Sequence, residues 1–146
     1  MTTAHPFSVR IADWQADGVP LRAIRRAVFV DEQGVPEALE WDDRDARSAH
    51  ALAVDADGTA IGCARLLPDG HIGRVAVVRP WRRRGVGAAL LLWLVDLARE
   101  RGHASVVLNA QAQATSFYRR HGFEVTGEAF EEAGIPHIVM QRPLQR

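Results

Sequence analysis

Apolar positions along this chain switch between two periods, and the switches lay out its elements. Phe7, Val9 and Ile11 recur at every second position, so residues 7–11 read as a short strand. From Pro20 the period lengthens. Leu21, Ile24 and Val28 fall at helical spacing and Pro20 suits a first helical turn, which predicts a helix over 20–31, broken by Gly34 and Pro36. Two apolar runs, 49–54 and 59–66, are joined through Asp57-Gly58, a strong hairpin signal, and Pro68-Asp69-Gly70 turns the chain into a further run over 72–78. Val86, Leu90, Trp93, Leu94 and Leu97 then stripe a helix over 86–101, with Leu91, Leu92 and Val95 widening the stripe and Gly102 closing it. A strand over 105–110 follows through this helix and so runs parallel to the strand before it. A short helix over about 112–121 ends at Gly122, and strands over 123–128 and 137–142 close the chain.

Between the strand 72–78 and the helix 86–101 lies Arg82-Arg83-Arg84-Gly85-Val86-Gly87, with Pro80 and Trp81 stopping the strand. A basic, glycine-broken turn at a strand-to-helix junction suits phosphate. The free N–H groups of a helix's first turn point out of its N-terminus, the macrodipole adds positive potential, and glycines let an anion approach the backbone. No Lys-Ser or Lys-Thr pair closes a Gly-x-x-x-x-Gly turn, which argues against a nucleoside-triphosphate loop. Ala88-Ala89-Leu90 stands where a dinucleotide fingerprint needs its third glycine.

Composition narrows the partners. The 146 residues are 47% hydrophobic and 25% charged, which suits one globular domain with a real core. Formal net charge is zero, so neither a polyanion nor an acidic membrane surface is an expected partner; a nucleic-acid role for Arg79 and Arg82 to Arg84 would need a broader basic face. No run of about 18 apolar residues occurs and residues 1–6 lack a signal-peptide pattern, which predicts a cytoplasmic protein. The single cysteine, Cys63, sits inside an apolar strand as a small buried hydrophobe would. The six histidines form no i, i+4 pair, so no metal site is expected.

Arg82-x-x-Gly85-x-Gly87 after a strand resembles the acetyl-CoA pyrophosphate loop of the GNAT superfamily of N-acetyltransferases, and the element order of the whole chain is similar to that family's. The family's Asn-x-x-Ala-x-x-x-Tyr-x-x-x-Gly-Phe pattern has a counterpart in Gln111, Ala114, Tyr118, Gly122 and Phe123, in which only the leading amide differs. More narrowly, residues 26–36, His50 and residues 134–140 look like the ElaA/YjcF-like branch. The resemblance implies an α/β (α+β) fold: one domain over 7–146 after a tail at 1–6, with a mixed, mostly antiparallel seven-stranded sheet flanked by helices. Its central parallel strands, 74–78 and 106–110 here, splay around a pantetheine arm. It also implies acetyl-CoA as co-substrate, held by Val75, Ala76 and Val77, by Arg82, Arg83, Arg84, Gly85, Val86, Gly87 and Ala88, and by Gln111 and Tyr118. A small-molecule or peptide amine would be the acceptor, and a homodimer stays open.

Acetyl transfer from a thioester to an amine needs a neutral amine, a stabilised oxyanion and a protonated leaving thiolate. Backbone N–H groups of Val75 to Val77 suit the oxyanion. Tyr118 suits the thiolate, because a phenol is protonated at neutral pH while a thiol ionises near pH 8.5. For the base, Glu32, His50, Asp42 and Asp43 are the candidates, with Glu32 and His50 foremost. The alternative to an enzyme is a non-catalytic acyl-CoA-binding regulator on the same fold, which would tolerate loss of the tyrosine and the acceptor-side acids.

Overall fold

A computed structural model describes residues 6–144. The expected tail lies outside them but for Pro6. The chain opens with β1 (Phe7–Ala12), α1 (Gly18–Arg25) and a continuation of that helix, Arg26–Glu32, in π-helical winding. A short α2 (Glu37–Glu40) precedes β2 (Ala49–Asp55), β3 (Ala60–Leu66) and β4 (His71–Val77). Next come α3 (Val86–Glu100), β5 (Ser105–Gln111), α4 (Thr115–Arg120), β6 (Glu124–Glu132) and β7 (Ile135–Pro143). The seven strands form one sheet in the order β1-β2-β3-β4-β5-β7-β6.

Turn chemistry sets the antiparallel half. The Asp55 carboxylate accepts from the N–H groups of Asp57 and Thr59, and Gly58 takes φ +84°, which fixes the β2–β3 hairpin. β3 and β4 pair antiparallel with a break in register: Arg65 lies opposite Gly73 and Cys63 opposite Ala76. One extra residue in β4 forms a bulge at Arg74 and Val75, and the Arg74 φ of +52° is uncommon outside glycine.

β4 and β5 are the parallel pair, and they touch briefly. His71 pairs with Val107 and Ile72 with Leu108, after which β4 has no strand beside it on that edge, while β5 continues antiparallel to β7 out to Gln111 opposite His137. This is the expected splay. Each face of the sheet is covered. Leu90, Leu91, Leu94 and Val95 of α3 pack on Ala51, Ala53, Ile61 and Leu66, whereas Leu21, Ile24, Val28 and Phe29 of the first helix pack on Leu52, Cys63 and Ala76. Adjacent residues Ala51 and Leu52 thus face opposite layers, as the two-residue period of a strand requires.

Two elements differ from expectation. The first helix starts at Gly18 and loosens at Arg26, so that Gln33 N–H reaches the Val28 carbonyl, five residues back. Strands β6 and β7 extend to a tight turn at Ala133-Gly134, both at positive φ, where a longer loop over 129–136 was expected. β6 is the edge strand and mostly exposed, so residues such as Glu128, Glu131 and Glu132 carry no apolar pattern to announce it.

Candidate active site

The divergence of β4 and β5 opens a cleft of about 480 Å³. Its walls are β4 from His71 to Val75, Leu108, Asn109 and Gln111 of β5, Tyr118 of α4, and the β6–β7 turn with Glu132 and His137; Gln33, Val35, Glu40 and Asp42 close the far side. A second cleft of about 400 Å³ lies at the other end of β4, lined by Val77, Trp81, Arg82, Arg83, residues 85–88, Phe117, Arg120 and His121.

The second cleft is walled at the start of α3 by backbone whose form suits an anion. Arg83 and Gly85 take φ of +63° and +84°, which wraps the turn before α3, and no side chain caps that helix. Its first intrahelical bond runs from Ala89 N–H to the Gly85 carbonyl, so the N–H groups of Val86, Gly87 and Ala88 are left for a ligand. A Cβ on Gly87 would come to 3.7 Å from Phe117 and 3.8 Å from Val77, so the protein itself leaves room there.

The loop arginines divide. Arg83 lines the cleft, whereas the Arg84 guanidinium lies 5.3 Å from the centre of the Trp81 ring. Arg82 lines the cleft but is tied on two sides, donating from Nε to the Val77 carbonyl at 2.9 Å and from Nη2 to Glu32 at 2.9 Å. Glu32 also accepts from Arg79 at 3.3 Å. Partial burial pushes the Glu32 pKa up, but the hydrogen bonds and charge of Arg82, then Arg79, outweigh it and hold the carboxyl below its ordinary range. That is the opposite of what a base for an ammonium needs.

His50 does not reach the acceptor cleft either. It is 2% exposed, stacks on Trp14 with ring centres 5.1 Å apart, and has Nε2 2.8 Å from the Asp45 carbonyl; burial lowers its pKa. The structure thus places His50 packed between Trp14 and the Asp45 carbonyl, apart from the cleft. Asp43 is exposed and stands outside the cleft, while Asp42 lines it but takes two hydrogen bonds from Arg65, at 2.9 and 3.1 Å. Among the described residues, Glu132 is the cleft carboxylate whose side chain makes no hydrogen bond or ion pair.

Tyr118 and Gln111 both line the first cleft. Tyr118 packs edge-on against Phe117 and Phe123, burial pushes its pKa up to about 12, and its hydroxyl has no protein partner among the described residues. It is a proton carrier at neutral pH with its donor uncommitted. Gln111 exchanges hydrogen bonds with Gln33 across the cleft, at 2.9 and 3.4 Å, and accepts one from Gln113 at 2.7 Å. Val75 lines this cleft and Val77 the other, while the Ala76 side chain is buried toward the first helix. Cys63 is 2% exposed and burial pushes its thiol up to about 12, which keeps it protonated and inert.

Sequence reasoning missed a buried ionic cluster beside the cleft: Arg25, Arg65 and Arg74 with Glu40, Asp42 and Asp45. Arg25 is 1% exposed and bonds Glu40 and Asp45, each at 2.7 Å. The signal available was weak, namely an arginine on the apolar stripe of the first helix, one residue after Ile24.

A family model described as the acetyltransferase (GNAT) domain matches residues 11–144. The chain is 37% identical over 123 residues to YjcF of Bacillus subtilis, an uncharacterized N-acetyltransferase, across 82% of this chain and 87% of that protein. Among solved structures, Escherichia coli ElaA matches with a TM-score of 0.82 at 30% identity, covering 94% of this chain and 99% of that one. An acyl-CoA N-acyltransferase from Pseudomonas aeruginosa matches with a TM-score of 0.83, also at 30% identity over 94% and 99% of the two chains. An uncapped helix at a phosphate-sized cleft, a parted strand pair and matches that span nearly the whole chain agree: the protein belongs to the GNAT acetyltransferase family, in the branch of ElaA and YjcF.

Proposed function

We propose that this protein is an acetyl-CoA-dependent N-acetyltransferase that moves an acetyl group to a primary amine by direct attack on the thioester. The observation that carries the reading is the pair of clefts joined along β4, with uncapped N–H groups at the Val86 end and the uncommitted Tyr118 hydroxyl at the other. The pyrophosphate would sit on the N–H groups of Val86, Gly87 and Ala88, with Arg83 beside it. The pantetheine arm would run along the edge of β4 that loses its strand partner after Ile72, and Val75 and Val77 would offer it backbone groups.

In this reading the neutral amine attacks the thioester carbonyl, and its lone pair becomes the new C–N bond. Backbone N–H on β4 stabilises the oxygen that gains charge. The C–S bond then breaks, Tyr118 gives its proton to the departing thiolate, and solvent restores the phenol. The amine sheds one proton. Glu132, the unpaired carboxylate of the cleft, is the group that takes it, and Glu32 instead holds Arg82. A non-catalytic acyl-CoA regulator would have no use for an unbonded phenol at the point where the strands part, so the enzyme reading is preferred.

Calorimetric titration with acetyl-CoA followed by a thiol-release assay over a panel of amines tests it. Binding together with amine-dependent release of free thiol supports transfer; binding with no release for any amine would leave the regulator.

A further inference from the structure

We propose that the acceptor carries a carboxylate beside its primary amine, and that Arg74, backed by Arg65, is the group that binds it. This inference rests on the transferase reading above, and it deepens that reading from "an amine" to an amino-carboxylate.

The ionic cluster beside the cleft is unevenly satisfied. Arg25, which lies away from the cleft, engages all three guanidinium nitrogens: Nε on Glu40, Nη1 on Asp45, and Nη2 on the Glu40 carbonyl at 2.8 Å and Asp45 at 3.3 Å. The two cluster arginines that line the cleft, where exposed Arg44 also stands, do not. Arg65, 5% exposed, makes all its bonds through Nη1, at 2.9 and 3.1 Å to Asp42 and 2.9 Å to Asp45, and its buried Nε has no partner. Arg74 donates one hydrogen bond, from Nη2 to the Glu40 carbonyl at 3.0 Å. Its Nε lies 3.1 Å from the Glu40 carboxylate, but the alignment makes no hydrogen bond and that buried N–H is also unpartnered. Asp42 stands 3.6 Å from its Nη2.

A guanidinium has five N–H donors in a rigid fork, and buried donors in folded proteins are nearly always satisfied. Arg65 and Arg74 each also have a terminal nitrogen that makes no hydrogen bond and is not sealed from solvent, Nη2 and Nη1 respectively, and such donors side by side on the wall of an open cleft are the complement of a planar, two-oxygen anion. Within the cluster Glu40 and Asp42 serve Arg74 only in part, because Glu40 also holds Arg25 at 2.7 Å and Asp42 holds Arg65 at 2.9 Å, and neither carboxylate accepts a hydrogen bond from Arg74. Burial, with the charges of Arg65 and Arg25, lowers the Arg74 pKa against the pull of Glu40 and Asp42.

The backbone agrees. Arg74 sits at φ +52° in the β4 bulge, a conformation disfavoured for a long side chain, and bulges serve to re-aim one side chain. The bulge follows Ile72, where β4 and β5 part, at the opposite end of β4 from the proposed pyrophosphate site. An anion on Arg74 would therefore belong to the acceptor and not to the pyrophosphate. The same molecule's ammonium would meet Glu132 across the cleft.

Two measurements test this on the full-length protein. First, glutarate, a dicarboxylate with no amine, is titrated calorimetrically against wild type and Arg74→Gln, with acetyl-CoA titrated in parallel. Glutarate should bind wild type and bind the variant at least tenfold more weakly, with acetyl-CoA affinity unchanged between the two. Second, kcat/KM is compared for ω-amino acids, for their primary amides, and for peptides bearing the amine beside a free or an amidated C-terminus. Acids should exceed amides by about 10²-fold in wild type, mostly through KM, and Arg74→Gln should bring the ratio toward one while Arg74→Lys restores part of it. The free acids and the peptides distinguish a metabolite from a chain terminus as the carboxylate's source. Equal activity on acids and amides, or a preference for polyamines or phosphorylated amines, overturns the inference with the transferase reading intact. Failure to bind acetyl-CoA overturns the transferase reading, and glutarate binding then decides the anion site on its own. Should Arg74→Gln not fold, the wild-type acid-to-amide ratio and glutarate competition against the acceptor decide the matter.

Discussion

The two ends of β4 are built on opposite terms. Beyond Val77 the proposed pyrophosphate site is made from consecutive residues, with backbone N–H groups at a helix start and two left-handed turn positions at Arg83 and Gly85. Around Arg74 the site is made from side chains that the fold gathers from the first helix, the segment after it, β3 and β4, held by six ionised groups that share one another's oxygens and donors. The backbone site can serve any pyrophosphate and needs little packing to form. A side-chain site carries selectivity, and its geometry exists only if the buried charges are all present. Damage should accordingly be structural at one end and confined to ligand affinity at the other.

The largest effect tests that contrast directly. Arg25→Met removes the cation that Glu40 and Asp45 share, leaving two carboxylates 3% and 1% exposed, and breaking one member of a buried ionic set costs about 3–5 kcal/mol. Thermal unfolding should show the melting temperature falling by about 10 °C or more. Burial pushes the Asp45 pKa up, but hydrogen bonds and charge from Arg25, then Arg65, outweigh it and leave the pKa depressed. Its contribution is thus present at neutral pH and lost as pH falls through the depressed value, so wild type should lose more stability on acidification than the variant does. A variant that melts within about 2 °C of wild type would mean the cluster is not what organises this end.

Next comes Tyr118→Phe, which keeps the ring against Phe117 and Phe123 and removes the proton. Turnover should drop by about 10²-fold with acetyl-CoA affinity little changed. Because burial raises the phenol to about 12, it stays protonated through ordinary assay conditions. The wild-type rate should therefore climb with pH as the amine deprotonates and show no alkaline fall below about pH 10. Near-normal turnover of the variant, measured where chemistry limits the rate, would assign the proton to water.

The same contrast explains what was legible in the sequence. Strand 72–78, the loop arginines and glycines and helix 86–101 are contiguous, and their signals are local: a change of period, a proline stop, glycines before an apolar stripe. The structure puts the strand at His71–Val77 and the helix at Val86–Glu100, within one residue of expectation at each end. Arg25 and Asp45 meet across 20 residues of chain and Arg74 meets Glu40 across 34, so nothing in a local window pairs them. The π-helical winding that starts at Arg26 left no mark either, since Val28 and Phe29 keep the apolar spacing of an ordinary helix. Glu32 and His50 were drawn by residue type, and type says nothing of which neighbour claims the side chain.

Gly87→Val should have a smaller effect than either change above. The site leaves space for a Cβ, with Phe117 and Val77 at ordinary contact distance, so the variant should fold. The added branches would occupy the approach to the N–H groups of α3, weakening acetyl-CoA by about tenfold with the melting temperature nearly unchanged. Calorimetry showing full affinity in the folded variant would move the phosphate off this turn. Gly85→Val is the poorer probe, since its φ of +84° would add backbone strain to any loss of binding.

The smallest effect is expected at Glu32, beside the Val77 end of β4. Its carboxylate holds Arg82 at 2.9 Å and Arg79 at 3.3 Å, so in the unliganded protein it occupies a guanidinium that a pyrophosphate would otherwise attract. Glu32→Gln removes the competing charge. Acetyl-CoA should then bind about two- to fivefold more tightly at low salt, and the gain should shrink as ionic strength rises. Stability at neutral pH should fall by no more than about 1 kcal/mol, the usual worth of an accessible ion pair. Since this carboxyl is depressed, that difference should vanish as pH drops below the ordinary carboxylate range. Turnover at saturating acetyl-CoA should change by less than about threefold across pH 6 to 9, because a carboxylate committed to two arginines is a weak proton acceptor. A loss of about 10²-fold in turnover, together with loss of the acidic limb of the pH–rate profile, would return Glu32 to the role of base and take that role from Glu132.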